Sequence, residues 1–238
     1  MATKIKTLLK LDYSEQNKIW LTDQNSLRKL IGILGFLLPI SLFVFLLIDN
    51  GYSSPLESIS HYYYTRVSSL FVVIVSLLAI FLLLYKGKEP IDFYLSSIAG
   101  IAALCVVLFP TSNISNLCND PLYKYSVTIL KESEFRYHLH YASAAIFLSC
   151  LAGMSLFLFT KSNVSVAGRT KNKKIRNRIY RTCGIIMLLA IVIIFAGFLK
   201  IIHEPFYSNH CLTFWMETVA VESFAISWLT KAELILKG

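Results

Sequence analysis

The sequence predicts an all-α membrane protein: a polytopic bundle of six transmembrane helices with both termini in the cytoplasm. Three observations lead to this prediction. Of the 238 residues, 55% are hydrophobic and only 16% are charged, whereas soluble domains carry about 25% charged residues. The apolar residues form runs long enough to cross a bilayer. Residues 161–181 carry eight basic side chains and no acidic one, which by the positive-inside rule places this loop in the cytoplasm.

The six spans follow in order from apolar runs bounded by charged or helix-ending residues. A polar, basic tail over residues 1–29 comes first, and it lacks a signal-peptide core, so the run that begins at Leu30 is expected to stay in the protein. Pro110 ends the third span. The predicted spans cover about residues 30–48, 67–85, 93–109, 138–160, 182–199 and 212–230, within one transmembrane domain over residues 30–238.

The distribution of basic residues predicts the orientation and the location. Eighteen of the 23 Lys and Arg residues fall in the tail, the loop after the second span, the basic loop and the C-terminus, which all lie on one side of a six-span bundle. This predicts a multi-pass protein of the cell membrane with residues 161–181 in the cytoplasm. The tail is either an amphipathic helix on the inner membrane surface or a solvated segment.

The net charge of +9 is explained by cytoplasmic loops that lie beside anionic lipid headgroups. No nucleic-acid recognition motif accompanies the charge, so nucleic acid is not an expected partner. The expected partners are membrane lipids, with a second copy of the chain or another membrane protein as further alternatives.

Small side chains predict that the third and fourth spans pack closely. The third span carries Gly100 and Ala103, and the fourth carries Ala145, Ser149 and Gly153 at every fourth position. This spacing lets two transmembrane helices approach each other closely.

Two further pairs are expected to stabilise the bundle. Cys118 and Cys211 both fall in predicted outer loops, on the oxidising side, where they form either a disulfide or two free thiols. Asp92 opens the third span and Lys231 ends the sixth, at matching depth on the inner side, where an ion pair would connect the two spans.

Two ionisable residues fall inside the sixth span, Glu217 near its outer end and Glu222 near mid-membrane. An ionisable side chain costs several kcal/mol in hydrocarbon, so each needs a partner or a function. Each glutamate either hydrogen-bonds a polar partner within the bundle or takes part in chemistry.

Histidines cluster at the same outer depth. His61 precedes the second span and His138 and His140 open the fourth. With Glu217, these three histidines could hold a zinc ion with an open position for water, or His61, His140 and Glu217 could act as catalytic acid and base. Against zinc, no spacing matches a recognised motif, and His138 and His140 point to nearly opposite sides of a helix.

The segment over residues 58–65 is rich in hydroxyl and aromatic side chains at the outer interface. Ser58, Ser60, Tyr62 and Arg136 are the predicted contacts of a lipid headgroup, although tyrosines at this depth also occur as an ordinary interfacial belt. Serine beside histidine could mark a nucleophile and its base, but no nucleophile-elbow motif surrounds either serine.

Five short segments carry a resemblance to a known group. They are residues 58–65, 109–111, 176–181, 214–217 and 227–231. Together with the hydrophobic pattern from about residue 30 onward, they resemble bacterial relatives of the DRAM, FRAG and Sfk group of six-helix membrane proteins. The resemblance implies a lipid-facing role, since eukaryotic members are associated with lipid remodelling of anchored proteins, phosphoinositide handling and autophagy. It supplies no catalytic residue.

Two classes of function are therefore expected. The first is a lipid-interacting protein without chemistry of its own, such as a scaffold, sensor or small transporter. The alternative is a membrane-embedded, metal-dependent hydrolase or transferase that acts on lipid headgroups at the outer face.

Overall fold

The computed structural model describes residues 23–50, 54–87, 89–114, 126–162 and 168–236, and within these ranges it is helical and contains no strand. Four helices are long and apolar enough to cross a membrane, over Gln24–Asp49, Pro90–Leu108, Glu134–Leu158 and Lys171–Phe198. A shorter apolar helix covers Ser68–Leu84. The all-α class is therefore confirmed, and four candidate spans in one chain indicate a multi-pass membrane protein.

The helices are numbered here in chain order. They are α1 (Gln24–Asn50), a 3-10 turn (Ile59–Tyr64), α2 (Ser68–Leu84), α3 (Pro90–Leu108), α4 (Glu134–Gly153) with a π turn at its end (Met154–Leu158), α5 (Lys171–Phe198), the short α6 (Glu204–Asn209) and α7 (Leu212–Lys231).

The basic loop predicted over residues 161–181 is wrong over its second half, because α5 already begins at Lys171. The side chain of Thr170 accepts a hydrogen bond from the backbone N–H of Lys173 (3.2 Å) and so caps the helix. Lysine and arginine are good helix formers, so the basic run continues the helix beyond the apolar span.

The first helix begins within the predicted basic tail, at Gln24. Asp23 caps α1, since its carboxylate accepts hydrogen bonds from the backbone N–H groups of Asn25 (3.2 Å) and Ser26 (3.1 Å). The first helix therefore starts before Leu30, where the apolar run begins. Residues 1–22 lie outside the described residues, so the interfacial helix in the tail stays a prediction.

The six long helices form a closed ring. Each of α1 to α5 packs against the next long helix in the chain, α7 packs against α5, and α7 returns to pack against α1. Consecutive helices run in opposite directions, so the connecting segments gather at two ends. Of the described residues, the histidine end holds 54–67, 109–114, 126–137 and 199–211, and the basic end holds 85–87, 89–90, 159–162, 168–171 and 231–236.

The predicted packing of the third span on the fourth is confirmed, because α3 and α4 are neighbours. The small residues serve it differently from the prediction. A Cβ at Gly100 would lie 2.8 Å from the backbone oxygen of Ala79, so Gly100 allows α2, rather than α4, to approach. Ala145 and Ser149 are exposed. Of the three small residues on α4, Gly153 lies against α3, where an added Cβ would be 3.6 Å from Leu95, whereas Ala145 borders a cavity and Ser149 is exposed.

Aromatic side chains fill the bundle near its basic end. Trp228 is fully buried, and its ring contacts Tyr85, Phe159 and Phe224 at centroid distances of 4.9, 5.3 and 5.8 Å. Beside this aromatic cluster, the hydroxyl of Ser155 in the π turn donates to the backbone oxygen of Tyr180 (2.8 Å). The side chains around Trp228 are therefore closely packed against one another.

The two predicted stabilising pairs remain predictions. The carboxylate of Asp92 accepts the backbone N–H of Glu89 (3.0 Å) within a capping box of α3, and the ammonium of Lys231 lies 5.1 Å from the centre of the Phe159 ring. Cys211 is buried beside the backbone oxygen of Pro55 (3.5 Å). Cys118 lies outside the described residues.

Candidate functional site

A cavity of about 640 Å³ lies at the histidine end. One wall is apolar and comes from α4 and α5, with Ala145 and Leu148 on the first helix and Ile191 and Ile194 on the second. The opposite side is polar. It is formed by residues around the 3-10 turn, by α4 and by α7: Glu57, Ser58, His61, Thr111, His140 and Glu217. This volume lies within the range of small-molecule sites, roughly 300 to 1,000 Å³.

Three exposed aromatic side chains form a rim on the cavity. Tyr141, Phe195 and Phe198 line it and are 43%, 58% and 59% exposed. The rings of Tyr141 and Phe198 are in contact, at a centroid distance of 5.9 Å. Since α4 and α5 are both candidate spans, these exposed rings lie on the part of the cavity lining that would be nearest to lipid in a membrane.

The short helix α6 covers the cavity from the end of the bundle. Tyr207 of this helix packs on Gly197, where an added Cβ would lie 2.1 Å from the Tyr207 ring. The hydroxyl of Tyr207 also hydrogen-bonds the side chain of Thr213 (2.8 Å), which ties α6 to the start of α7. Gly197 is therefore required for this close approach.

A serine, a histidine and a glutamate lie together on one turn at the polar side. The hydroxyl oxygen of Ser58 lies 2.7 Å from Nδ1 of His61, and Nε2 of His61 lies 3.5 Å from Oε2 of Glu57. The carboxylate favours a proton on Nε2, so Nδ1 holds a lone pair and accepts the hydrogen bond from Ser58. The three side chains thus stand in the order hydroxyl, imidazole and carboxylate, with a hydrogen bond between the first two and a longer contact between the last two.

Burial lowers the pKa of His61 below its ordinary value, and the nearby Glu57 carboxylate opposes this by raising it. Desolvation is the larger of the two effects because the imidazole is removed from water. His61 is therefore neutral at pH 7, the protonation state in which Nδ1 accepts the Ser58 proton.

Glu217 holds this turn in place. Its Oε2 accepts a hydrogen bond from the backbone N–H of Ile59 at 2.7 Å, across 158 residues of sequence. The first N–H groups of a helical turn have no partner within the turn and are usually capped by a nearby side chain. Glu217 provides this cap from α7, so the prediction that it hydrogen-bonds a polar partner within the bundle is confirmed.

His140 lies on the same side of the cavity. Its Nδ1 is 2.8 Å from the backbone oxygen of Phe109, an atom that only accepts, so Nδ1 carries the proton and Nε2 holds the lone pair. The structure therefore brings together His61, His140 and Glu217, the three predicted catalytic residues, around one cavity.

The predicted metal site does not form. The side chain of His138 is exposed, and its Nδ1 contacts the backbone oxygen of Glu134 in its own helix (2.7 Å). Among the residues that the structure describes, no group of three or more His, Cys, Asp or Glu side chains is arranged to hold a metal ion. The set His61, His138, His140 and Glu217 fails because His138 lies two residues from His140 and so points away from it.

The four residues that were predicted to contact a lipid headgroup do not lie together at one site. Of these residues, only Ser58 is among those that line the cavity in the described part of the chain. Ser60 and Tyr62 are buried, and the Tyr62 ring packs on Phe214 (6.0 Å). Arg136 donates to the backbone oxygens of Pro110 (3.1 Å) and Lys131 (2.7 Å) and so connects two segments of the histidine end.

A second cavity of about 860 Å³ lies at the basic end. Charged side chains of both signs line it, and they form ion pairs between Lys161 and Glu89 and between Arg176 and Glu233. These pairs connect the segments of the basic end.

Sequence reasoning missed Glu57 and assigned no reaction to Ser58. Their positions carried a signal, because residues three and four apart meet on one side of a helical turn. A serine, a histidine and an acid at positions 58, 61 and 57 fit that spacing.

Comparison of the chain with protein-family models, with curated proteins and with solved structures gave no match.

Proposed function

We propose that the protein is a six-span membrane protein that binds an amphiphilic lipid in the cavity at its histidine end. The observation that carries this proposal is the lining of the cavity, which combines apolar residues of α4 and α5 and three exposed aromatic rings with a group of polar residues. The acyl chain contacts the wall formed by α4 and α5, and the polar part of the lipid lies against Ser58, His61 and His140.

The six-span topology is supported by helix length and by ring closure. At 1.5 Å per residue, α2 with 17 residues is about 26 Å long and α7 with 20 residues about 30 Å, close to the thickness of a hydrocarbon core. In an antiparallel ring of six helices both termini lie at one end. Among the described residues that end holds twelve lysines and arginines and the opposite end four, so we infer that it faces the cytoplasm.

Cysteine labelling tests this orientation. In a cysteine-free background, a cysteine at position 171 should react only with a reagent supplied from the cytoplasmic side, and a cysteine at position 124 only with one supplied from outside. The reason is that an ionic thiol reagent does not cross the bilayer. Mass shift of the protein from intact and permeabilised cells measures the reaction. Labelling of both positions from the same side would contradict the topology.

The charged groups that line the cavity indicate which class of lipid it would bind. Three carboxyl groups line the cavity, on Glu57, Glu204 and Glu217, against one ammonium group on Lys200. An anionic headgroup would be repelled by this set, whereas a neutral or amine-bearing polar group is not. The favoured ligand is therefore a lipid with an uncharged or amine-bearing polar group. A lipid-binding role also agrees with the resemblance to the DRAM, FRAG and Sfk group.

Photo-crosslinking tests the binding proposal. A phosphatidylethanolamine with a diazirine in its acyl chain, incorporated into nanodiscs with the protein, should form adducts with the wall formed by α4 and α5. Tryptophan at Ala145, which lines the cavity, should lower adduct formation there by about tenfold or more. The indole displaces at least two methylene groups of the chain, each worth about 0.8 kcal/mol. Peptide mass spectrometry measures the adducts.

Ser149 provides the matched control. It is exposed on the same face of α4, four residues from Ala145, and is not among the residues that line the cavity in the described part of the chain. Ser149→Trp should leave adduct formation within the cavity unchanged. Equal loss in the two variants, or adducts spread evenly over the outer surface of all helices, would contradict a specific site.

A further inference from the structure

Resting on the proposed lipid site, we propose that Ser58 is the nucleophile of an acyl-transfer reaction on an ester-bearing lipid. His61 is its general base, and Glu57 orients the histidine. The reaction takes place at the polar end of the cavity, and the acyl chain lies along the apolar wall.

The hydroxyl of Ser58 does not cap the 3-10 turn. Ser58 is the N-cap residue of the 3-10 turn, a position from which serine usually accepts a backbone hydrogen bond. Its side chain makes no such bond here, and its oxygen instead lies 2.7 Å from Nδ1 of His61. Glu217 caps the turn at Ile59 in its place. The serine hydroxyl is thus available for chemistry because another residue performs the structural task.

His61 is positioned to act as the base for Ser58. His61 Nδ1 holds a lone pair directed at the serine proton, and Glu57 lies on the far side of the ring, 3.5 Å from Nε2. That distance lies outside hydrogen-bond geometry in this structure, and the two atoms must approach by about half an ångström to form a direct bond. Contacts of this kind often tighten only when substrate is bound. Glu57 then stabilises the imidazolium that forms during proton transfer.

The lining of the cavity indicates the class of substrate. Ser58 and His61 line the cavity together with the apolar wall, so a reacting carbonyl beside Ser58 carries its acyl chain towards α4 and α5. A serine activated by a neutral histidine attacks an ester or a thioester most readily, because their carbonyl carbon is more electrophilic and their leaving group better than those of an amide. Ester-linked lipids combine this carbonyl with a long chain.

The steps balance as follows. The Ser58 oxygen forms a bond to the carbonyl carbon while its proton moves to His61 Nδ1. The bond between that carbon and the ester oxygen breaks, and His61 returns the proton to the departing alcohol. Water, or the hydroxyl of a second lipid, then attacks the acyl-serine, loses its proton to His61 and releases a fatty acid or a new ester. The proton returns to Ser58, and no electrons are exchanged with a redox partner.

A fluorophosphonate probe with a long alkyl chain tests this proposal, because it reacts covalently with activated serines. The probe should label wild-type protein in detergent on the peptide that contains Ser58. Ser58→Ala should abolish that labelling, and His61→Gln should slow it by about 100-fold or more, the usual contribution of a general base. Glu57→Gln should slow it less, because Glu57 acts through the histidine.

Ser143→Ala is the matched control. Ser143 is as buried as Ser58, each being 5% exposed, and it is not among the cavity-lining residues in the described part of the chain. Its variant should be labelled like the wild type. Ser58→Cys is a second probe of the same position. A long-chain alkylating reagent should modify its thiol faster than the thiol of Ser143→Cys, and no difference in rate would overturn the proposal.

The pH dependence of labelling should follow His61. Burial lowers the pKa of His61, so the neutral base is kept at pH 6.5, the ordinary histidine value, and the rate falls only at lower pH. Glu57 on the same turn, His140 from α4 and Glu217 from α7 surround this part of the cavity. Ser143→Ala, which does not alter a residue that lines the cavity in the described part of the chain, should leave the position of this fall unchanged. A rate that already falls above pH 6.5 would overturn the role of His61 as a buried, neutral base.

The outcomes separate this inference from the proposed lipid site. Lipid photo-crosslinking that persists while Ser58 fails to react with the fluorophosphonate overturns the nucleophile and leaves the binding proposal standing. Labelling of Ser58 that is unaffected by Ala145→Trp, together with absent crosslinking, overturns the lipid site and supports the nucleophile. A chromogenic long-chain acyl ester checks turnover. Acyl-Ser58 detected by mass spectrometry, and lost in Ser58→Ala, supports the complete reaction.

Discussion

Trp228→Ala is expected to destabilise the protein by about 3 to 5 kcal/mol, the range for removal of a fully buried tryptophan. The indole contacts Tyr85 at the end of α2, Phe159 at the end of the π turn and Phe224 on its own helix. Alanine leaves a cavity that these rigid rings cannot fill. The midpoint of unfolding in a denaturant titration of the detergent-solubilised protein measures the change.

Trp215→Ala is the control for this prediction. Trp215 lies on the same helix, α7, but is 50% exposed. Its removal should cost less than about 1 kcal/mol, as is usual for an exposed site. Equal losses in the two variants would mean that the aromatic cluster near the basic end does not form the packed interior described here.

Glu217→Ala is expected to cost about 1 to 3 kcal/mol, because it leaves the buried N–H of Ile59 without an acceptor. The loss should also displace the 3-10 turn and slow fluorophosphonate labelling of Ser58. Glu217→Gln keeps a carbonyl oxygen that can accept the same hydrogen bond. It should therefore retain most of the stability and most of the Ser58 labelling, as measured by thermal unfolding and by labelling rate.

Glu222 offers a sharp comparison on the same helix. Its Oε1 is buried and has no hydrogen-bond partner in the described part of the chain. Glu222→Ala removes a polar group without breaking a bond, so it should be neutral or stabilising. Glu217→Ala as mild as Glu222→Ala would show that Glu217 does not hold the turn. Loss of Ser58 labelling in a stable Glu217→Gln protein would assign Glu217 a direct part in the chemistry.

The residues of the predicted metal site show which features of a site follow from residue type and from depth along a helix. His61, His140 and Glu217 were expected at one end of the bundle, and they line one cavity there. His138 was expected with them and lies outside it, since its ring contacts its own helix at Glu134. Depth along a helix follows from position in the sequence. The direction of a side chain around the helix axis depends on how the helix is rotated against its neighbours.

The helical class and the positions of the long apolar helices were determined by the sequence alone. Hydropathy is a local property, and an apolar run such as residues 93–109 must be helical in a membrane whatever its neighbours are. Hydropathy does not show where α5 begins. The cap at Thr170 starts this helix well before the apolar run begins.

Only the tertiary structure decided the site. The bond from Ile59 to Glu217 joins residues 158 positions apart, and it exists because α7 closes the ring beside the 3-10 turn. The same closure frees Ser58 to face His61, and the rotation of α4 turns Ala145 towards the cavity and its Ser149 neighbour towards the outside. Which faces meet depends on the packing of all six helices together, and no local pattern contains that information.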